Sequence, residues 1–200
     1  MRIRCHIGFL FTLMVGWGAP GCFISQAQIS SPQAVDPALR DRIVQLSGEI
    51  WRARYRGADQ DGREAAKREL VAIDGHAEIL AERFESKRQI VGYETRRLQF
   101  FGILSEIRSA ESVIVLARYL DDFDDALPER QAKAMLESGS HLSDVPPNAV
   151  MAVEALSMMN LSGAPAAKRR GSYSRADVPI WKDWISSLGE DDIEGLFDAK

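Results

Sequence analysis

Several stretches of the chain bring together residue types that could do chemistry. Ser140, His141 and Asp144 supply the three members of a hydrolase triad. They share one polar loop, however, whereas triads are assembled from distant segments, and no Gly-x-Ser-x-Gly elbow presents a nucleophile. Asp121, Asp122, Asp124 and Asp125 could offer oxygens to calcium. The glycine and the terminal bidentate glutamate of a calcium loop are missing at that spacing, so a solvated acidic corner is expected. His76 follows Asp74-Gly75 and reads as a turn residue. It and His141 would be the histidines left after loss of an N-terminal leader carrying His6, and without cysteine nothing specifies a zinc site. With no glycine-rich phosphate loop either, no catalytic residue, metal or cofactor is assigned, and a non-enzymatic role is expected.

The formal net charge is −4, from 25 Lys+Arg and 29 Asp+Glu, so there is no global basic field to attract nucleic acid. The local exception is Lys168-Arg169-Arg170 with Arg175 and Tyr173. Four cations and one aromatic make a small footprint for nucleic acid, and residues 162–176, rich in Ala, Gly and Ser, are expected to be a basic flexible loop. Asn160-Leu161-Ser162 would accept a glycan in an exported eukaryotic chain.

The elements that must position these residues all read as helices. Asp36-Pro37 is a helix start, and Leu39, Ile43, Leu46, Ile50 and Trp51 recur at helical spacing, so the first helix spans Pro37 to about Arg54. Gly57 to Gly62 ends it. Further helices are expected at Arg63–Ile73, Ala77–Lys87, Glu94–Arg108, Glu111 to about Asp122, Pro128–Ser138 and Pro147–Met159. The only β-like run, Val113-Ile114-Val115, lies inside a helical spacing of Val113, Leu116, Ala117 and Leu120. The class is therefore all-α.

A repeat organises these helices. Ile79-Leu80-Ala81 with Phe84 becomes, 36 residues on, Val115-Leu116-Ala117 with Leu120, and after 36 more Met151-Ala152-Val153 with Leu156. Every position is apolar. One helical hairpin cannot bury both its faces, whereas stacked hairpins share a continuous core. The preceding helices carry Leu70 and Ile73, Leu104 and Ile107, and Met135 and Leu136. Ala81, Ala117 and Val153 are expected in equivalent interior places.

The run Leu104 to Leu120, with its small-residue turn Ser109-Ala110 between two helices, resembles a HEAT-like repeat. Leu70 to Glu85 resembles a weaker copy, and Ala149 to Met159 the second helix of a third. The resemblance covers about half of the chain beyond the leader and departs from the pattern in the long third turn and the first helix. It implies a short α-solenoid over residues 37–161 that offers a curved surface to a protein partner. Under that geometry Glu82, Arg118 and Glu154 align as a ladder of alternating charge, and with Arg83 and Tyr119 they are the expected partner-binding residues. Residues 177–200 complete the array. Asp177 and Pro179 start a helix whose stripe of Ile180, Trp181, Trp184, Ile185 and Leu188 would cap the end of the stack, followed by an acidic tail.

Residues 1–27 read as a secretory signal peptide. Arg2 and Arg4 precede the apolar run Ile7 to Val15, Gly16, Gly18, Pro20 and Gly21 break it, and Ser25-Gln26-Ala27 places small residues before a cleavage point. The apolar run is too short to span a membrane. Cleavage after Ala27 removes Cys5 and Cys22, leaves a polar tether over 28–36 and makes the exported chain more acidic. Gly21-Cys22 could alternatively end a lipobox and anchor Cys22, but Ala19-Pro20 is a poor lead-in. The expectation is an exported scaffold, periplasmic or secreted, that binds a protein partner without nucleic acid or a membrane span. The alternatives are a carboxylate-based hydrolase and a structural accessory of the envelope.

Overall fold

The computed structural model describes residues 36–56, 59–88, 90, 92–123, 137–138 and 146–197. The expected leader with Cys5, Cys22 and Ala27, most of the helix expected over 128–138, Asp124 and Asp125, and the Ser140, His141 and Asp144 trio lie outside the described residues. Among the described residues all regular structure is helical, in eight α-helices with no strand. These are α1 (Pro37–Arg56), α2 (Gln60–Val71), α3 (His76–Glu85), α4 (Tyr93–Ile107), α5 (Ala110–Arg118), α6 (Asn148–Met158), α7 (Val178–Ser186) and α8 (Glu190–Gly195). None of them is long and apolar enough to cross a membrane.

The helix ends follow local chemistry. The Asp36 carboxylate accepts the Ala38 amide at 2.9 Å, which opens α1 as expected. Asp59, in a left-handed conformation, accepts from Gly62 N–H and starts α2 three residues earlier than the glycines suggest. Arg108 takes φ 48° and turns the chain, and Ser109 then caps α5 through the Ser112 amide at 3.1 Å. The turn thus falls one residue before the Ser109-Ala110 break.

Helix α3 packs against α5 and α5 against α6, while α4 touches α2, α3, α5 and α6. Helix α1 lies on α2, α3 and α4. Its closest approach to α4 is at Gly102, where an added Cβ would come within 3.1 Å of the Trp51 ring and 2.8 Å of Arg54. The register positions 79, 80 and 84, with their equivalents 36 and 72 residues on, are all buried. So are Ala81 and Val153, but Ala117 is only half-buried. Its short side chain borders the outer stripe of α5 formed by exposed Ile114, Arg118 and Asp121.

The same period extends to the helix starts, where the sequence reading did not look for it. His76, Ser112 and Asn148 are buried polar residues in equivalent places, each followed by a fully buried Ala77, Val113 or Ala149. Rings from α3, α4 and α5 fill the space between the helices. Phe84 and Phe100 stack in parallel with centroids 4.5 Å apart, and Phe101 and Tyr119 meet both edge-on.

At the C-terminal end Trp181 is buried and Trp184 half-buried, and α7 packs on α6. Asp177 precedes α7, but its carboxylate accepts from the Ser174 amide and hydroxyl and from Lys168, and makes no cap bond to α7. Within the acidic tail, residues 190–195 form α8, which contacts α5, and Leu196 after it is buried in the core. The basic loop is likewise tied down. Lys168 N–H donates to the Tyr173 hydroxyl at 2.7 Å, and Arg170 reaches Glu154 at 3.2 Å.

Candidate functional site

The residues expected to form a partner surface divide into three groups. Tyr119 is not on the surface. Its ring lies in the aromatic cluster with the residue 8% exposed, and its hydroxyl donates to Glu85 Oε1 at 2.8 Å. That burial, reinforced by the adjacent Glu85 carboxylate, pushes the phenol well above its ordinary range. Tyr119 falls on the inside because it stands three and four residues after buried Leu116 and Val115, on the same stripe, beside Phe84 and Phe100.

Glu82, Arg118 and Glu154 do occupy the outer side of α3, α5 and α6, but their ion-pair partners lie elsewhere. Glu82 pairs with Arg40 of α1 at 2.8 Å, Arg118 with Glu78 one turn up α3, and Glu154 with Arg170. The ladder is thus tied off pairwise to α1, α3 and the C-terminal segment. At these exposures each pair contributes about 0–1 kcal/mol.

Arg83 turns to a cavity of about 340 Å³ between α1, α3 and α4. Its walls are apolar, from Val44, Leu80, Phe84, Phe100 and Ile103, with Ser47 and Gln99 adding polar atoms. Arg83, Lys87 and Arg96 add three positive charges, and no carboxylate lines it. Arg83 and Lys87 stand four residues apart on α3 and its continuation, which puts both on one side. Arg96 comes from the first turns of α4, and its Nη1 is buried with no hydrogen-bond partner among the described residues. The sequence signal was the i, i+4 pair of cations beside Phe84, a pattern that more often marks a solvated helix face.

Two buried polar junctions were not anticipated. The first joins the starts of α3 and α5. His76 Nδ1 lies 2.8 Å from the Ile73 carbonyl and 3.1 Å from Glu111 Oε2, while Nε2 lies 2.9 Å from Ser109 Oγ. A carbonyl can only accept, so Nδ1 carries a hydrogen, and Nε2 meets a Ser109 hydroxyl that also shares a hydrogen bond with Ser112 Oγ at 2.8 Å. These are triad residue types at triad distances. Their bonds are nonetheless engaged in capping: Ser109 Oγ accepts the Ser112 amide, and Glu111 accepts the Gly75 and Ala77 amides at 2.8 and 3.2 Å. Ser109 and His76 are 8% and 2% exposed, and none of the three lines the cavity.

The second junction surrounds Arg97, which is fully buried. Its Nε donates to Asn148 Oδ1 at 2.8 Å, Nη1 to Glu94 at 3.1 Å and Nη2 to the Pro146 carbonyl. The guanidinium also lies over the Tyr93 ring, 5.6 Å from its centroid. Asn148 Nδ2 donates to Asp122 at 2.9 Å and to the Tyr93 hydroxyl at 3.1 Å, and Arg88 closes on both Asp122 oxygens at 2.7 and 2.8 Å. Of the expected solvated acidic corner, Asp122 is instead a member of this network, whereas Asp121 is exposed and pairs with Lys182. Every partner is satisfied, so the cluster binds α4, the end of α5 and the start of α6 together.

Compared with protein-family models, with curated proteins and with solved structures, the chain matches none of them. Among the described residues no group of three or more His, Cys, Asp or Glu side chains could hold a metal ion.

Proposed function

We propose that the protein is an exported, non-enzymatic helical-repeat module that binds a protein partner through the outer side of α3, α5 and α6. In this reading the repeats are HEAT-like hairpins, α2 with α3 and α4 with α5, and α6 is the second helix of a third hairpin stacked beyond them. The observation that carries it is the shared register. Positions 76, 77, 79, 80 and 84 are buried, and so are their equivalents 36 and 72 residues on, while at position 82 and its equivalents Glu82 and Arg118 are exposed and Glu154 is half-buried. A stack of this kind fixes the spacing of outward side chains across neighbouring helices, which suits recognition of an extended surface. The N-terminal leader supports export.

The Ser109, His76 and Glu111 trio is the constellation that a hydrolase reading would require. Its closure within two helix caps favours a structural role.

The test is site-specific crosslinking in the native host. A photoreactive phenylalanine analogue at Glu82, Arg118 or Glu154 is expected to trap one common envelope protein, and at Arg68 of α2 or Asp183 of α7 to trap none. Adducts formed equally from both sets, or only from the second, would discard the face.

A further inference from the structure

We infer that the cavity between α1, α3 and α4 is a binding site for a small organic carboxylate with an apolar body. This goes beyond the partner-binding reading and does not depend on it, because the site is defined by its own walls and charges. At about 340 Å³ it falls within the size range of small-molecule sites, near its lower end. Phe84 and Phe100, stacked on each other, are among its apolar walls with Val44, Leu80 and Ile103, which favours a hydrocarbon body. Its polar equipment has one sign. Arg83, Lys87 and Arg96 line it without a carboxylate among the lining residues.

Arg96 is the best placed of the three cations. Its side chain lines the cavity while Nη1 itself is closed off, with no hydrogen-bond partner among the described residues, so an anion in the cavity acts on the charge of the guanidinium as a whole and offsets part of its desolvation. Three positive charges disfavour a cation, and a neutral ligand would leave them uncompensated. A bare inorganic anion would leave the apolar walls uncovered. The combination selects a carboxylate joined to hydrocarbon.

The site also contains its own control. A Cβ added at Gly48 meets only Arg52 Nη2, at 3.9 Å, so the helix accepts a side chain there that grows into the cavity and removes no charge.

The experiment is a ligand-observed NMR titration of the purified protein with 4-phenylbutyrate, 4-phenylbutan-1-ol and inorganic phosphate. The acid is expected to bind, with the alcohol and phosphate each weaker by at least about tenfold, the scale of one charge-assisted hydrogen bond. Arg96→Met should weaken the acid by about tenfold or more and leave the alcohol unaffected. Gly48→Leu should abolish both, and Arg118→Ala should change neither. Circular dichroism confirms the helical content of each variant, and Arg96→Met keeps the question open to decision if Gly48→Leu fails to fold. Equal affinity for acid and alcohol, phosphate binding as tightly as the acid, indifference of the acid to Arg96→Met, or no binding would each overturn the inference. Loss of the partner crosslinks with retained phenylbutyrate binding would instead point to failure of the partner face alone.

Discussion

Replacing Arg97 with methionine keeps the aliphatic stem and removes the guanidinium. Asn148 Oδ1 and the Pro146 carbonyl then lose their donors, and Glu94 loses its ion partner. Each charge-assisted hydrogen bond contributes about 1.5–3 kcal/mol, and each buried acceptor left without its donor costs about 1–3 kcal/mol. The methionine recovers part of the packing, so about 3–5 kcal/mol is the expected loss. Against a total stability of about 5–15 kcal/mol for a domain, the variant should be folded but markedly fragile. Arg97→Lys retains a charge but cannot span three acceptors at once, and should fall between the two. Equilibrium unfolding in urea, followed by far-ultraviolet circular dichroism, reads the loss as a lower midpoint at unchanged slope. A double-mutant cycle with Asn148→Ala should show a coupling above about 1 kcal/mol. A loss below about 1 kcal/mol for Arg97→Met, or simple additivity with Asn148→Ala, would show that the network does not join α4 to α6.

Two further predictions concern packing and pH. Gly48→Ala should stabilise by about 0.5–1 kcal/mol, the usual gain for a helix-interior glycine. Gly102→Ala meets Trp51 and Arg54 and should cost about 1–3 kcal/mol through overpacking, so equal thermal shifts for the two would refute the close approach of α1 to α4. Burial and the Glu85 carboxylate raise the Tyr119 phenol, so its contribution is fully present below the unfolded value near pH ~10 and is lost as pH climbs through the folded value. Tyrosinate absorbance from Tyr119 should therefore emerge together with loss of helix in an alkaline titration, and Tyr119→Phe should remove that component. Early ionisation of Tyr119 in a still-helical protein would contradict its burial.

What the sequence made legible was local or periodic. Asp36 before Pro37 and Ser109 before α5 signal helix starts because a cap needs only its own next residues. The apolar residues at 36-residue spacing locate the buried faces of α3, α5 and α6, since apolar side chains at helical spacing mark the side a helix turns inward. Ala117 departs from that rule because a methyl group at the edge of a stripe does not decide its own exposure. Tyr119 stands at helical spacing from Val115 and Leu116 and shares their burial, so its place was legible in the period, whereas the Glu85 carboxylate that receives its hydroxyl lies on another helix. Arg97 was hidden in plain view. It continues the buried stripe of Tyr93, Phe100 and Leu104 on α4, and a charge in that position is tolerable only with partners, which come from Asn148 and Pro146 some fifty residues on by the hydrogen bonds they form. The cavity was unreadable for the same reason: Val44, Arg83 and Arg96 belong to three helices, and nothing in linear spacing states that they meet.

The two polar junctions explain why the helices hold one register and no other. An apolar face such as Val150, Met151, Val153 and Leu156 would bury nearly as much surface if α6 slid by a turn along its neighbours, because hydrocarbon contact is not directional. Asn148 does not have that freedom. Its amide is committed to Arg97, Tyr93 and Asp122 at 2.8–3.1 Å, and a slip would leave each buried group unsatisfied at about 1–3 kcal/mol apiece. His76 plays the same part between α3 and α5 through Ser109 and Glu111. Since His76, Ser112 and Asn148 occupy equivalent places at the helix starts, the cost of misalignment recurs at each contact along the row. The spacing of Glu82, Arg118 and Glu154 on the outer side is consequently set from inside, by polar residues that never reach the surface.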